Sequence, residues 1–494
     1  MGLSNAWNVA TSSLATNAGL TSIVSRNISN AQNASGYVSA KVAHLVSGSG
    51  GAAVIQSISD LTNASLFNAM LSSTSANAAA QALSSGVKPL QATVADATST
   101  TDTTTAAQSP SSLLQALDTA LQTYSASPSN ASAAAGVLSA AQNLASGLNA
   151  ASATVQSGRE TADQDMVNAV ATVNGLLSDF QQVNTQIVSG TATGADITDA
   201  LDRRNTILQS LSQQIGVATT TASNGAMAIY TDSGVTLFDT TARSVTMAPT
   251  TTYTASTTGA AVTVDGVPVT GANAIMPIQS GALAGLATLR DSVATQYQSQ
   301  LDSIAGGLVN AFAETSSGGG GQLPGLFTAS GLTSVPGASL VNGLAGQIAV
   351  ASAVDPSQGG SLNRIRDGGI NGSATVQNTT GASGYNTLIQ SDIAALGATR
   401  TFPSGTGLGT SNSVTGQAAA SASWLDAEYQ SASNNATYQS TLSTQASQAL
   451  SNATGVNIDQ QMTQMLDLEN SYQASAKIIA TIGTMFNALL QAVA

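Results

Sequence analysis

Apolar residues recur every seven positions at both ends of this chain. At the C-terminal end Ile458, Met465, Tyr472, Ile479, Phe486 and Val493 keep that spacing without a miss, and Met462, Ala476 and Leu490 fill much of a second row. Leu466, Leu468, Ile482 and Leu489 widen the apolar face beyond a two-helix seam. The spacing therefore predicts a helix with more than one partner. Asn457 and Asp459 stand where a cap and a first-turn acid are expected. At the N-terminal end Trp7, Leu14, Thr21 and Ile28 form one heptad row, and Leu3, Ala10, Asn17 and Val24 form its complement. Thr21 and Asn17 make this seam the weaker one. A lone helix buries neither row, so both ends need partners and are expected to order on assembly. The first helix is expected to stop near residues 30–36, where Asn and Gly cluster.

Between the ends the period stays helical over long stretches. Met166, Val170, Val173, Leu177, Phe180 and Ile187 form one stripe, which extends back toward Leu148. Leu201, Leu208, Leu211 and Ile215 form another, and Leu286, Val293, Tyr297, Ile304, Leu308 and Phe312 a third. Residues 60–95 and 413–452 are richer in Ala and Gln and also read as helical. Strand character concentrates in 216–280. Val262-Thr-Val264 and Val267-Pro-Val269 flank Asp265-Gly266, a hairpin signal because both turn residues need positive φ. Pro268 assigns its strand to an edge. Met227–Tyr230 and Val235–Phe238 predict a second hairpin. Gly318–Gly321 reads as a loop, and 355–412 has no clear period.

These elements predict a mainly α fold with a β insertion: paired N- and C-terminal coiled-coil helices, a long-helix bundle and a smaller, mainly β outer domain. The expected division places a terminal coiled-coil domain at 1–50 with 453–494. A helical bundle takes 51–215 with 281–318 and 413–452. A β-rich outer domain takes 216–280. The Gly/Asn/Thr-rich remainder, 319–412, is irregular or part of the outer domain.

Composition favours slender packing over one thick core. Of 494 residues only 7 % are charged and 4 % aromatic. Burying a large apolar side chain is worth roughly 1.5–3 kcal/mol, and Ala supplies much less. The net charge of −13 and the scattered 12 basic residues argue against nucleic acid, which needs clustered Lys and Arg. No acid precedes Asp60, so Arg26, Lys41 and His44 face no acid in that stretch. With no cysteine and one histidine, disulfides, thiolate metal sites and a His-triad zinc site are excluded.

The start MGLSNAWNVATSSLATNAGL has neither the basic region nor the unbroken apolar core of a secretory signal. Export without a cleavable signal is therefore the expectation. Thr481, Thr484, Asn487 and Gln491 interrupt the apolar tail after Ile478, and a span needs about 20 mostly apolar residues, so no membrane insertion is expected.

Catalytic constellations are lacking. There is no G-x-S-x-G elbow, Walker-type loop or G-x-G-x-x-G, and His44 is the sole histidine available to activate a serine. Asp199, Asp202, Arg203 and Arg204 are the densest ionic cluster. At that spacing acids serve more often as first-turn residues than as an acid/base pair. Neither an enzyme nor a cofactor is expected. An adhesin-like extracellular protein shares this composition, but it predicts repeats and an export signal or anchor.

Two segments resemble a known family. SIVSRNISNAQNASGY, Ser22–Tyr37, is similar to the N-terminal signature of flagellar rod, hook and hook-associated proteins, with Asn27, Ile28, Asn30, Gly36 and Tyr37 matching. Ala34-Ser35 replaces the usual Thr-Pro. MLDLENSYQASAKIIATIGTMFNALL, Met465–Leu490, resembles their C-terminal signature around Tyr472, Gln473, Ala474, Ala476 and Lys477. DITDALDRRNTILQSLSQQI, at 196–215, is similar to a segment of the hook-associated protein 1 family, carried by Asp199, Leu201, Asp202 and Arg204. The GALAGLATLRD stretch follows in the family's order.

The resemblance implies a structural axial protein at the hook–filament junction of the bacterial flagellum, outside the cell. Its implied partners are itself in a ring, hook protein, hook-associated protein 3 and a cytoplasmic export chaperone. Export would be through the flagellar type III apparatus. A rod or hook protein is the alternative within the same superfamily. The assembly seam is expected at Leu3, Trp7, Ala10, Leu14, Val24, Ile28, Ile458, Met462, Met465, Tyr472, Ala476, Ile479, Phe486, Leu490 and Val493.

Overall fold

The computed structural model describes residues 2–32, 38–48, 51–95, 109–316 and 320–493. Helix α1, Leu3–Gln32, opens the chain, and an antiparallel hairpin follows, β1 at Lys41–Ser47 and β2 at Ala53–Asp60. The helical body comprises α2 (Ala64–Gln91), α3 (Pro110–Ala126), α4 (Ala131–Thr193) and α5 (Thr198–Gln214). It continues after the β region with α6 (Ala282–Thr288), a π-helical turn at Leu289–Val293 and α7 (Ala294–Ala311). Short helices α8 (Asn363–Asp367) and α9 (Thr387–Gly397) lead to α10 (Val414–Thr454) and α11 (Ile458–Val493).

The longest element is α4, whose 63 residues extend about 95 Å at 1.5 Å per residue. Asn130 starts it by accepting from the amides of Ser132 and Ala133, and Gly194 ends it in the left-handed conformation at φ 71°. Val137, Leu144, Leu148, Val155, Met166, Val173, Leu177, Phe180 and Ile187 keep one buried stripe along its length. The apolar period signals the second half of this helix. Its first half is Ala- and Ser-rich and extends it to Ala131. Around α4 pack α3, α5, α6 and α7, while α10 lies along α2. Small residues permit these close contacts; a Cβ on Gly285 of α6 would stand 2.2 Å from the carbonyl oxygen of Ala79 on α2.

The β insertion is two small sheets against the far half of α4. One holds β3 (Val217–Thr221), β4 (Met227–Thr231), β5 (Thr236–Asp239) and β6 (Thr241–Ala242) in that order. The other holds β7 (Val245–Thr246), β8 (Thr263–Val264) and β9 (Val267–Pro268), with Pro268 on the edge strand. Asp265 and Gly266 take φ values of 47° and 80°, as the Asp-Gly turn requires. Phe180 and Phe238 join sheet to helix edge-on, their centroids 4.9 Å apart. The long helices, terminal helix pair and small sheets make this a mainly α fold with a β insertion.

Buried polar groups set what apolar residues do not. On α4 the apolar stripe is interrupted by Arg159 and Asp163, both buried. The π-helical turn points Arg290 into the same space, where its guanidinium donates to Asp163 at 2.7 Å, to Asp291 twice at 2.8 Å and to the Ala260 carbonyl at 2.9 Å. Arg159 donates to the carbonyls of Arg290, Thr254 and Thr257, and lies 4.7 Å from the centre of the Tyr253 ring. Tyr253 Oη and the Thr250 amide donate to Asp163. One ionic cluster thus clamps the 250–260 loop between α4 and the π turn. Further on, buried Glu314 accepts from the amides of Ile370 and Asn371, the Asn371 side chain and the Thr375 hydroxyl, at 2.7–2.9 Å. Asp302 of α7 accepts from the amides of Gly343 and Ala345 at 2.8 Å. These carboxylates tie down the Gly- and Asn-rich stretch after 320, whose Phe327, Leu344, Ile348, Val354, Ile389 and Phe402 are buried in the same core as the helices.

Candidate assembly site

Helices α1 and α11 pack antiparallel. Asn27 faces Gln461, Asn17 faces Ser471 and Ser13 faces Ser475, with contacts of 3.0, 2.8 and 3.3 Å. Ala10, Asn17, Val24 and Asn27 are buried residues of α1 on this side, and Gln461, Leu468, Ser475 and Ile482 those of α11. The α11 residues are again seven apart, but they form a different row from the larger side chains that define the periodic apolar signal. Of those, Met465 and Ile479 flank the contact and are half-buried, while Ile458, Met462, Tyr472, Ala476, Phe486 and Leu490 are exposed. On α1, Leu3, Leu14 and Ile28 are half-buried and Trp7 is exposed. The side chain of Val493 lies outside the described residues. The monomer therefore gives α11 one partner through a partly polar row and leaves its most apolar face open.

Register explains where the open face is widest. Continuing the pairing brings Leu3, the first residue of α1, opposite Met485. Beyond that point α11 has outrun its partner, and Phe486, Leu489 and Leu490 remain 38 %, 60 % and 65 % exposed. A surface this apolar at the end of an unpaired helix is what an association site requires.

The other end of the pair is anchored on Asn27. Its amide donates to the Lys41 carbonyl and to Gln461 Oε1, both at 3.0 Å, and its oxygen accepts from the Lys41 amide at 2.8 Å. One buried side chain thus joins α1, β1 and α11. The Ala40 amide completes the joint on the Thr454 carbonyl, at the end of α10. Replacing Asn27 with Ala would leave the Lys41 groups and Gln461 without those partners, a cost of about 1–3 kcal/mol for each buried group left unmade. Asn27→Ala is expected to raise amide hydrogen exchange in 38–47 and 458–465; exchange equal to wild type there would refute this role. Asn30 is half-buried, and Gln473, Ala474 and Lys477 are exposed on α11. Gly36 and Tyr37 lie outside the described residues.

The hairpin packs on α1, where Thr16 donates to the Ala53 carbonyl at 2.7 Å. Charges then join this terminal unit to the body. Arg26 pairs with Asp196 at 2.9 Å and Asp199 at 2.6 Å. Lys41, fully buried, donates to Asp202 at 2.5 Å and lies 3.5 Å from both Asp60 and Asp199. Burial works against the Lys41 ammonium, but the Asp202 hydrogen bond and the three carboxylates more than offset it and raise its pKa. Burial, then the charge of Asp202, push Asp60 up to about 7 against the pull of Lys41. Arg204 is lowered to about 10 by burial and donates to the Gly225 carbonyl at 3.0 Å. The ionic cluster seen at 199–204 is thus a docking surface for two distant cations. Sequence spacing carried no sign of that pairing, because Arg26 and Lys41 are more than 150 residues away.

Among the described residues no helix is long and apolar enough to cross a membrane, and no group of three His, Asp or Glu side chains could hold a metal.

Comparisons with known proteins place the paired terminal helices and the slender helical body among the axial proteins of the bacterial flagellum. Residues 98–327 match the family model for the flagellar hook-associated protein FlgK helical domain, and residues 446–492 match that for the flagellar basal body rod FlgEFG protein C-terminal region. No curated protein matches the chain. Among solved structures, the flagellar hook junction protein FlgK from Burkholderia pseudomallei shares the fold at 16 % identity, with a TM-score of 0.51, over 77 % of this chain and 99 % of that one. Residues 98–327 thus carry the helical domain of the FlgK family of flagellar hook-associated proteins, and residues 446–492 a C-terminal region of the flagellar rod-protein type.

Proposed function

We propose that this protein assembles into a ring at the hook–filament junction, with hook protein on one side and hook-associated protein 3 on the other. Copies join through α11, and the body with its β insertion faces outward. The carrying observation is the open apolar face of α11, which α1 is too short and too narrow to cover. In a ring, the faces of neighbouring copies cover each other, which removes apolar surface from water without any change in the body. Export proceeds through the flagellar type III apparatus, and a cytoplasmic chaperone shields the same C-terminal face beforehand. The terminal unit, α1 and the hairpin with α11, serves as the inner tube in this reading, and the exposed seam residues of α11 are its contacts with neighbouring copies. Electron microscopy of a deletion strain tests the position. Intact hooks without filaments are expected; absent hooks would instead assign the chain to the rod or hook.

A further inference from the structure

Asp60 is the last residue of β2 and the one buried acid on the hairpin side of the charged joint. Its side chain is 1 % exposed, and neither oxygen accepts a hydrogen bond of good geometry. The nearest cation, Lys41 on β1, stands 3.5 Å away and is already committed to Asp202 on α5 at 2.5 Å. Two buried carboxylates from different elements therefore share one ammonium. Arg204 on α5 adds a weaker attraction to Asp60, and Asp196, ahead of α5, adds repulsion. Arg26 on α1 does not relieve this, because its guanidinium is bonded to Asp196 and Asp199.

We propose that Asp60 is a proton-operated latch that sets how firmly the terminal unit (α1, the hairpin and α11) is docked on the helical body. With Asp60 protonated, Lys41 serves only the α5 carboxylates, Asp202 at 2.5 Å and the exposed Asp199 at 3.5 Å, and the joint is closed. With Asp60 ionised, a second buried negative charge competes for Lys41, and parting of β2 from α5 brings that charge to water.

The sign follows from proton uptake. In the docked state Asp60 holds its proton up to about pH 7, whereas a water-exposed aspartate releases it near 3.9. Docking therefore takes up a proton across that interval. It is most favourable at the acid end and weakens as pH rises toward 7, with no further change above. Asp196 is shifted the other way, below the ordinary aspartate value, so it titrates outside this window. The pKa of Lys41 is raised, which keeps it charged throughout. His44 sits on the same hairpin but is exposed and bonded to Ser59 at 2.8 Å, which makes it the control.

The test is amide hydrogen exchange on the full chain at pH 5.5 and 7.5, corrected for intrinsic rates and read in peptides from 22–32 and 38–60. Wild type should open on the order of tenfold more at pH 7.5 than at 5.5. Asp60→Asn should stay at the protected level at both, and His44→Gln should behave as wild type. Exchange in wild type that is independent of pH, an Asp60→Asn profile that keeps the full pH dependence, or its loss in His44→Gln would each overturn the latch. Asp202→Asn supplies a second measurement should Asp60→Asn not fold. With its competitor gone, Asp60 pairs with Lys41, and the transition should move at least one pH unit lower. An unmoved transition overturns the sharing of Lys41.

Discussion

Phe486→Asp and Ile479→Asp are each expected to yield a folded protein that fails to enter flagella. Phe486 stands where α11 has outrun α1, so a carboxylate there is solvated in the monomer and costs it little. In an assembled ring the same carboxylate would be buried among apolar side chains without a counter-charge, a penalty of several kcal/mol per subunit. Ile479 is half-buried at the edge of the contact with α1, so Ile479→Asp should also loosen the helix pair. Both effects are confined to the terminal unit. Circular dichroism should register nearly the wild-type helix content, and the body's thermal transition should be unchanged. Motility assays and electron microscopy of strains carrying either variant should give hooks without filaments. Wild-type filaments from Phe486→Asp would remove this face of α11 from the assembly surface.

The second large effect lies in the body. Arg290 is completely buried and holds together α4, the π-helical turn and the 250–260 loop. Arg290→Met removes the counter-charge of Asp163 and leaves it only the Tyr253 hydroxyl and the Thr250 amide. Breaking one side of a buried ion pair typically costs about 3–5 kcal/mol. Urea unfolding should show that loss as a lower midpoint with little change in slope, and the 250–260 loop should exchange first. Adding Asp163→Asn should recover part of it, because no charge is then stranded. A double variant less stable than Arg290→Met would mean that Asp163 serves the fold through its other hydrogen bonds.

Much of this architecture was legible before any coordinates. Helix periods located α5, α7 and the buried half of α4, because one face of each meets a core and must be apolar. The Asp265-Gly266 turn was legible because few residue pairs adopt two positive φ values. The terminal heptads marked both ends as partner-seeking. The β1–β2 hairpin was not legible. Val42, Leu45 and Val46 are exposed on it, so its strands carry no alternation of buried and open positions.

The rows of the terminal seam divide in the same way. The sequence by itself determined that α11 carries a broad apolar face, since spacing and side-chain size are local properties. Only the tertiary structure decided which row the monomer uses, and it chose Gln461, Leu468, Ser475 and Ile482. The reason is physical: α1 offers Asn17 and Asn27, whose buried amides need polar partners more than they need contact with Phe or Tyr. The charged joints divide likewise. Sequence marked Asp199, Asp202 and Arg204 as a cluster. That Arg26 and Lys41 bind there, that Asp60 is left sharing a cation, and that Arg290 reaches Asp163 depend on contacts between segments far apart in the chain. No local period encodes these, because a hydrogen bond needs one partner at one place and leaves no repeat behind.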